Sequence, residues 1–313
     1  VSIDIIGFGA LNMDQIYSVA RILTDGEAAV AEFRLAPGGS AANTIYGLAK
    51  LGISTGFLGA VGDDEEGRTL LEDFEDVGVD TGQIRVKKAK TGATLCLTDK
   101  RGRRALYVLP GANSLLVGKD VDLGYISQAQ ILHLSSFADE EQLEMQKQLM
   151  GEIPPSIRVS FAPGSIYAAK GLEILAPIIK RTHVLFLNRK EIAELTGEGF
   201  EKGANMCLDE GCQIVAITLG KGITKGSTTA TCYLIDGQGE YVIQGEKGYV
   251  RGDTVGAGDA FAAGFLYGLL QGKDTKECGD LGNIVATLST TDIGARAGLP
   301  SLHELRQSYK QPR

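Results

Sequence analysis

The sequence predicts an α/β fold built on a parallel sheet with crossover helices. Short apolar runs rich in β-branched residues recur at Ser2–Phe8, Phe57–Val61, Ile131–Leu134, Ile157–Phe161, Val184–Leu187 and Ile214–Thr218. Segments with helical spacing lie between them, such as Glu140–Met150 and Leu172–Arg181. Strands alternating with helices require parallel pairing, because each crossover returns the chain to the same sheet edge. One stretch breaks the rhythm. Two alternating runs, Thr91–Thr98 and Arg103–Val108, are joined by Asp99-Lys-Arg-Gly102 and read as a hairpin. With the Ile16–Val19 and Ala29–Leu35 runs it predicts a small separate sheet flap, an edge hairpin of the main sheet being the alternative.

The first run, bounded by glycine, is a buried strand. Gly7-Phe-Gly9-Ala-Leu-Asn12 follows it and misses the dinucleotide fingerprint, having Asn at the sixth position and no immediate helix. A nicotinamide dehydrogenase is rejected on that ground. Asn12 and Asp14 instead place polar groups at the carboxyl end of a strand, where α/β sheets take ligands; an Asx turn explains either alone. Pro37-Gly38-Gly39-Ser40-Ala-Ala-Asn43 opens a second element, a helix with Ser40 as N-cap and Gly52 at its end. Gly38 and Gly39 permit either a tight turn or close backbone approach to a polyhydroxyl ligand, with Asn43 offering donor and acceptor. Asp63, Asp64, Glu65 and Glu66 before the next helix favour its dipole and are structural.

In the second half, Asn188-Arg-Lys-Glu191 follows a strand and opens a helix. Its amide and carboxylate can cap that helix or organise hydrated magnesium. Thr218-Leu-Gly220-Lys-Gly222 also follows a strand, and its glycines suit passing phosphates. The Ile284–Leu288 helical segment can wall an adenine site. No P-loop is present. The stretch from Lys247 to Leu270 runs as a loop into a helix. Gly256, Ala257 and Gly258 leave N–H groups open at the positive end of that helix, which suits a phosphate. Asp259 sits inside that field and either caps the helix or accepts a proton from a hydroxyl.

Composition narrows the classes. A net charge of −8 and a pI near 5.1 argue against nucleic-acid and anionic-membrane binding. No apolar run approaches the ~20 residues of a membrane helix, and no signal peptide is visible. Five scattered cysteines form no CxxC pair and read as free thiols in a reducing cytosol. A cytoplasmic protein without nucleic-acid or membrane partners is expected. His133, His183 and His303 have no zinc-like spacing.

These residues resemble the ribokinase-like, or PfkB, family of sugar kinases along nearly the whole chain. Asp253-Thr-Val-Gly-Ala-Gly-Asp259 is similar to the family's C-terminal signature, and Pro37–Asn43 to its N-terminal one. Gly62-Asp63-Asp64, Pro110-Gly-Ala-Asn113 and Asn188–Glu191 match in order. The resemblance implies one domain over 1–313, a three-layer α/β/α sandwich with a mainly parallel central sheet. A β-sheet lid is expected from about 12–36 and 91–110. It implies ATP, magnesium and transfer of the γ-phosphoryl group to a primary alcohol. Asp259 then aligns with the catalytic base, and Gly256, Ala257 and Gly258 with the anion hole. Asn12, Asp14, Gly38, Gly39 and Asn43 align with sugar contacts. Asn188, Glu191, Thr218, Gly220, Gly222 and Asn283 fall to the nucleotide, Glu191 reaching magnesium through water. Asp253 aligns with a monovalent-cation ligand in potassium-activated members. A homodimer through the lid is a further expectation.

The chain departs from ribokinase proper in two sugar-contact regions. Ser40 stands where ribokinase has Lys, and Leu134-Ser-Ser-Phe137 lacks its Glu. Ala162 replaces an Asp of other members. The expected acceptor is a small sugar, with a nucleoside as runner-up and a non-catalytic ligand-binding protein as the alternative of another class. A nucleoside base would need apolar or aromatic walls in the lid, for which Tyr17, Phe33, Leu95, Leu97, Leu106 and Tyr107 are candidates. Arg103 and Arg104 are candidates to meet a charged sugar.

Overall fold

Along β1 (Ile5–Phe8) both side-chain directions are buried. Ile5 joins an apolar cluster with Ile45, Phe57, Phe74, Phe261 and Phe265, while Ile6 and Phe8 join Leu132, Phe161 and Leu185 on the other side. A strand apolar in both directions can be stable only with helices on both faces, so these residues require three layers. The computed structural model describes residues 3–100, 103–225, 228–245, 254–292 and 294–310.

The remaining strands are β2 (Asn12–Val19), β3 (Val30–Gly38), β4 (Thr55–Gly62), β5 (Asp80–Lys87), β6 (Gly92–Asp99), β7 (Arg104–Leu109), β8 (Ile131–Ser135), β9 (Arg158–Ala162), β10 (Thr182–Asn188), β11 (Ile214–Lys225), β12 (Thr228–Asp236) and β13 (Gly239–Gly245). The helices are α1 (Ser40–Lys50), α2 (Glu65–Asp76), α3 (Leu123–Ile126), α4 (Glu140–Glu152), α5 (Gly164–Ala168), α6 (Leu172–Ile179), α7 (Arg189–Thr196), α8 (Phe200–Asp209), α9 (Ala257–Leu270), α10 (Thr275–Ser289) and α11 (Leu302–Lys310). The main sheet runs β13-β12-β11-β10-β9-β8-β1-β4-β5. Pairing is parallel from β5 to β11 and antiparallel for β12 and β13. Helices α1, α2, α9 and α10 cover the Ile5 face, and α4, α6, α7 and α8 the other. Among the described residues no helix is long and apolar enough to cross a membrane.

The hairpin belongs to a second sheet, β3-β2-β6-β7, and is not an edge of the main one. In it β2 pairs parallel with β6, and the outer pairs are antiparallel. The expected turn includes residues 101 and 102, which lie outside the described residues. Strands β5, β12 and β13 and helix α8 had no separate signal in the sequence reading. In β5 only Ile84 is buried, so there is no apolar run to read.

Ser40 does not cap α1. The N-cap is Gly39, at φ 98°, and no side chain caps the helix. A Cβ at Gly39 would lie 2.2 Å from the Ala10 carbonyl oxygen, so both backbone conformation and space demand glycine there.

Helices α9 and α10 touch backbone to backbone. A Cβ on Gly264 would stand 2.7 Å from the Leu281 carbonyl oxygen, and one on Gly282 would stand 2.8 Å from that of Phe261. Gly264→Val should therefore push the helices apart and cost roughly 1–3 kcal/mol. Urea unfolding at neutral pH checks this; an unchanged midpoint would contradict the close contact.

Candidate active site

Helix α9 begins without a side-chain cap. Its N-cap, Gly256, is left-handed at φ 75°, and a Cβ there would strike Ala295 at 2.6 Å. A Cβ on Gly258 would meet nothing within 4 Å, so this first turn faces open space. An uncapped glycine-lined helix start presents N–H donors and positive potential to whatever occupies that space. Ala257 is the first helical residue, and Thr254, just before the turn, accepts from Arg104 Nη2 on β7 at 2.8 Å. Asp253 lies outside the described residues, and with it the monovalent-cation expectation.

Asp259 is the third residue of α9 and does not cap it. Its side chain crosses to α1 instead. Oδ1 accepts from Ser40 Oγ at 2.7 Å and Oδ2 from Asn43 Nδ2 at 2.9 Å. Thr44 Oγ1 donates to its carbonyl at 3.3 Å. Burial pushes the Asp259 carboxyl up to about 6; the Asn43 and Ser40 bonds pull it down, and the charges of Glu191 and Asp14 push it up. A carboxyl titrating near neutrality at a helix N-terminus can take a proton from a hydroxyl while the amides beside it hold negative charge.

The lid carries the second acid. Asp14 on β2 lies over Gly38, where a Cβ would fall 2.4 Å from its carboxylate. The glycine pair thus does more than turn the chain: Gly38 makes room for Asp14. Burial pushes the Asp14 carboxyl up to about 6, against the pull of the nearby Thr94 hydroxyl and the Arg296 charge. Its Oδ1 is buried without a hydrogen-bond partner. Asn12 is buried at the root of the lid, where Oδ1 accepts from Asn113 Nδ2 at 3.0 Å and Nδ2 donates to Thr94 Oγ1 at 3.4 Å. Asn43 is also engaged at both ends, Oδ1 accepting from Arg296 Nε at 3.0 Å. The second N–H of that amide has no partner among the described residues.

The Asn188–Glu191 element forms a capping box on α7. Asn188 Oδ1 accepts from the Lys190 and Glu191 amides at 2.9 Å, and Glu191 Oε2 from the Asn188 amide at 2.9 Å. Burial raises the Glu191 carboxyl, and its charge reaches Asp259. Register sets Asn188 beside Thr218 on β11. Gly220 and Gly222 follow in left-handed conformation at φ 61° and 79°; only Gly220 faces open space. Asn283 is half-buried on α10, the helix packed against α9. Among the described residues no three His, Cys, Asp or Glu side chains form a metal cluster. The combined negative field of Asp14, Glu191 and Asp259 nevertheless fits a hydrated divalent cation escorting phosphates.

Two contributors are visible only in the structure. Ser40 is no cap, and its hydroxyl serves Asp259. Arg296, in Gly294-Ala-Arg-Ala-Gly298, carries no motif that announces it. Only its tertiary contacts do.

Asp14 is held in an environment that opposes its charge. A carboxyl whose folded pKa is raised from 3.8 to about 6 adds most stability below pH 4, and that contribution is lost as pH rises through 6. Asp14→Asn escapes this loss. It should be more stable than the parent at pH 7.5 by on the order of 1 kcal/mol, with the gain shrinking towards pH 4. Urea titrations at the two pH values check it; a variant less stable at pH 7.5 would show that the carboxylate is paired, not strained.

Comparison with known proteins gives the family. The model of the pfkB family of carbohydrate kinases matches residues 2–302. An uncharacterized sugar kinase of Archaeoglobus fulgidus is 40% identical over 257 residues, covering 81% of this chain and 98% of its own. An ATP-dependent ribose-1-phosphate kinase of Halopiger xanaduensis is 30% identical over 295 residues, 94% of each chain. Ribokinase from Thermotoga maritima superposes with a TM-score of 0.84 at 28% identity, covering 99% of this chain and 100% of its own. With the match spanning the sandwich, the lid and the glycine-opened helix that carries Asp259, the chain belongs to the pfkB family of carbohydrate kinases and is a kinase of the ribokinase type.

Proposed function

We propose that this kinase transfers the γ-phosphoryl group of ATP to the primary hydroxyl of a small sugar, with Asp259 as base. The observation that carries the reading is the Asp259 carboxylate, held by Ser40 and Asn43 in the first turn of an uncapped, glycine-opened helix. The acceptor hydroxyl gives its proton to Asp259 Oδ1 as its oxygen attacks the γ-phosphorus and the bond to the departing ADP breaks. The Ser40 hydroxyl on that oxygen can rotate from donor to acceptor, so the proton displaces no fixed group. The first amides of α9 hold the charge on the transferring group. Magnesium, when bound, neutralises the phosphates; Glu191 and Asn188 are the residues at hand to hold its water shell. Thr218, Gly220, Gly222 and Asn283 are assigned to the nucleotide. The unpaired Asp14 Oδ1 is assigned to an acceptor hydroxyl, beside Gly38, Gly39 and the free N–H of Asn43.

The lid favours a sugar over a nucleoside. Alternation along its strands puts Tyr17, Phe33, Leu95, Leu97 and Tyr107 on the face opposite Asp14, and Tyr17 and Phe33 stack there at 4.9 Å. Among the described residues the Asp14 face carries Ile16, Thr94, Cys96, Leu106 and Val108 and no aromatic ring. Of the two arginines, Arg103 pairs with Asp99 and Arg104 reaches Thr254. The Halopiger relative acts on ribose 1-phosphate by its name, so a phosphorylated pentose belongs in any screen.

The outer lid face exposes Phe33, Leu35, Tyr107 and Leu109, each at least half accessible. Such a patch on a soluble surface calls for a partner, and a second copy of this chain is the occupant assigned to it.

Asp259→Asn should lower turnover by about 10²–10⁴-fold with ATP affinity unchanged. The assay is ADP release over a panel of pentoses, hexoses, ribose 1-phosphate, adenosine, inosine and cytidine. Turnover within a few-fold of the parent would remove Asp259 from its role, and phosphorylation of nucleosides alone would overturn the sugar reading. Tyr107→Glu should convert a dimer to a monomer in sedimentation equilibrium; a parent already monomeric at micromolar concentration would refute pairing through the lid.

A further inference from the structure

Arg296 is a buried charged residue beside the site, at 6% exposure. Nη1 pairs with Asp73 on α2, Nη2 donates to the Gly38 carbonyl at 3.2 Å, and Nε donates to Asn43 Oδ1 at 3.0 Å. The Tyr46 and Phe74 rings each lie 5.1 Å from its guanidinium carbon. A guanidinium has donors only, so the Asn43 atom it faces must be oxygen. The other end of that amide must then be nitrogen, and it donates to Asp259 Oδ2.

We propose that Arg296 is a positioning residue for phosphoryl transfer: by holding Asn43 Oδ1 it commits the Asn43 amide to donate to Asp259, and its bond to Gly38 fixes the glycine turn beneath Asp14. The proposal rests on the reading of Asp259 as base, but its own mechanism is a hydrogen-bond relay that exists without any substrate. Without Arg296 the amide can flip and present oxygen to the carboxylate, which repels its charged form. The groups that bear on Asp259 are Ser40 and Asn43 from α1, Glu191 from α7 and Asp14 from β2; those on Arg296 are Asp73, Tyr46 and Asp14. Losing the Asn43 donor removes the largest influence that keeps the Asp259 carboxyl down, so its midpoint must rise.

The test is a carbon-13 carboxyl titration of the full chain without ligand, with the Asp259 resonance assigned by its loss in Asp259→Asn. Arg296→Met should raise the Asp259 midpoint by about half a pH unit or more, as expected for loss of a donated hydrogen bond. Asn43→Ala should do the same, and the double variant should add little to either single one. Arg296→Lys keeps the charge against Asp73 but cannot serve Asn43 and Gly38 together, and it covers the case in which the Met variant fails to fold. It should give an intermediate midpoint. A midpoint unmoved by the folded Arg296 variants, or additive effects in the double variant, overturns the relay. That outcome is distinct from failure of the base assignment, which is read separately from the turnover of Asp259→Asn.

Discussion

One carboxylate held between two helices sets the terms for the rest of this structure. Asp259 belongs to α9, yet both its oxygens accept from α1. That bond pair requires the glycine-opened starts of two helices, far apart in sequence, to meet at one point. The sheet supplies the geometry, because α1 and α9 share its Ile5 face and pack together through Gly47 and Ala263. The glycines supply the distances. Gly39 must avoid the Ala10 carbonyl, Gly256 must avoid Ala295, and Gly38 must leave room for Asp14. Each is a point where a side chain would break the site before it touched a ligand.

The same arrangement stores unfavourable charge. Asp14, Glu191 and Asp259 are each pushed upward by burial, and their charges reinforce one another at Asp259. The surroundings offset this in part: the Ser40 and Thr94 hydroxyls, the Asn43 amide and the field of Arg296 act on Asp259 and Asp14, and Asn188 and Lys190 act on Glu191. Perturbed carboxyls gathered at one place mark a functional site more often than a structural one. Structural acids in the same chain behave differently. Asp64 caps α2 and accepts from Gly67 and Thr91, and those bonds hold its carboxyl below the ordinary range.

The lid divides its labour by face. Alternate residues along four strands turn either to the site or to solvent, so one sheet presents Asp14 inward and Phe33, Leu35, Tyr107 and Leu109 outward. The candidate walls for a base therefore lie mostly on the wrong side, and only Leu106 of that group shares the Asp14 face. Alternation within a strand was legible; which parity faces inward was not, because both carry apolar residues.

The sequence by itself determined the alternation of strands and helices, the hairpin that breaks it, and the two glycine-opened helices with Asp259 and Asn43 in their first turns. Those follow from local periodicity and from glycine, which act over a few residues. It could not supply β5, whose single buried residue leaves no pattern, nor the true cap of α1. It also left Asn188 and Glu191 with two roles, and the structure gives the cap outright. Only the tertiary structure decided that Ser40 serves Asp259 across 219 positions and that Arg296 grips Asn43 across 253. The physical reason is that a buried polar side chain is defined by its partner, and a partner that far along the chain is chosen by how the layers pack, not by neighbours in sequence.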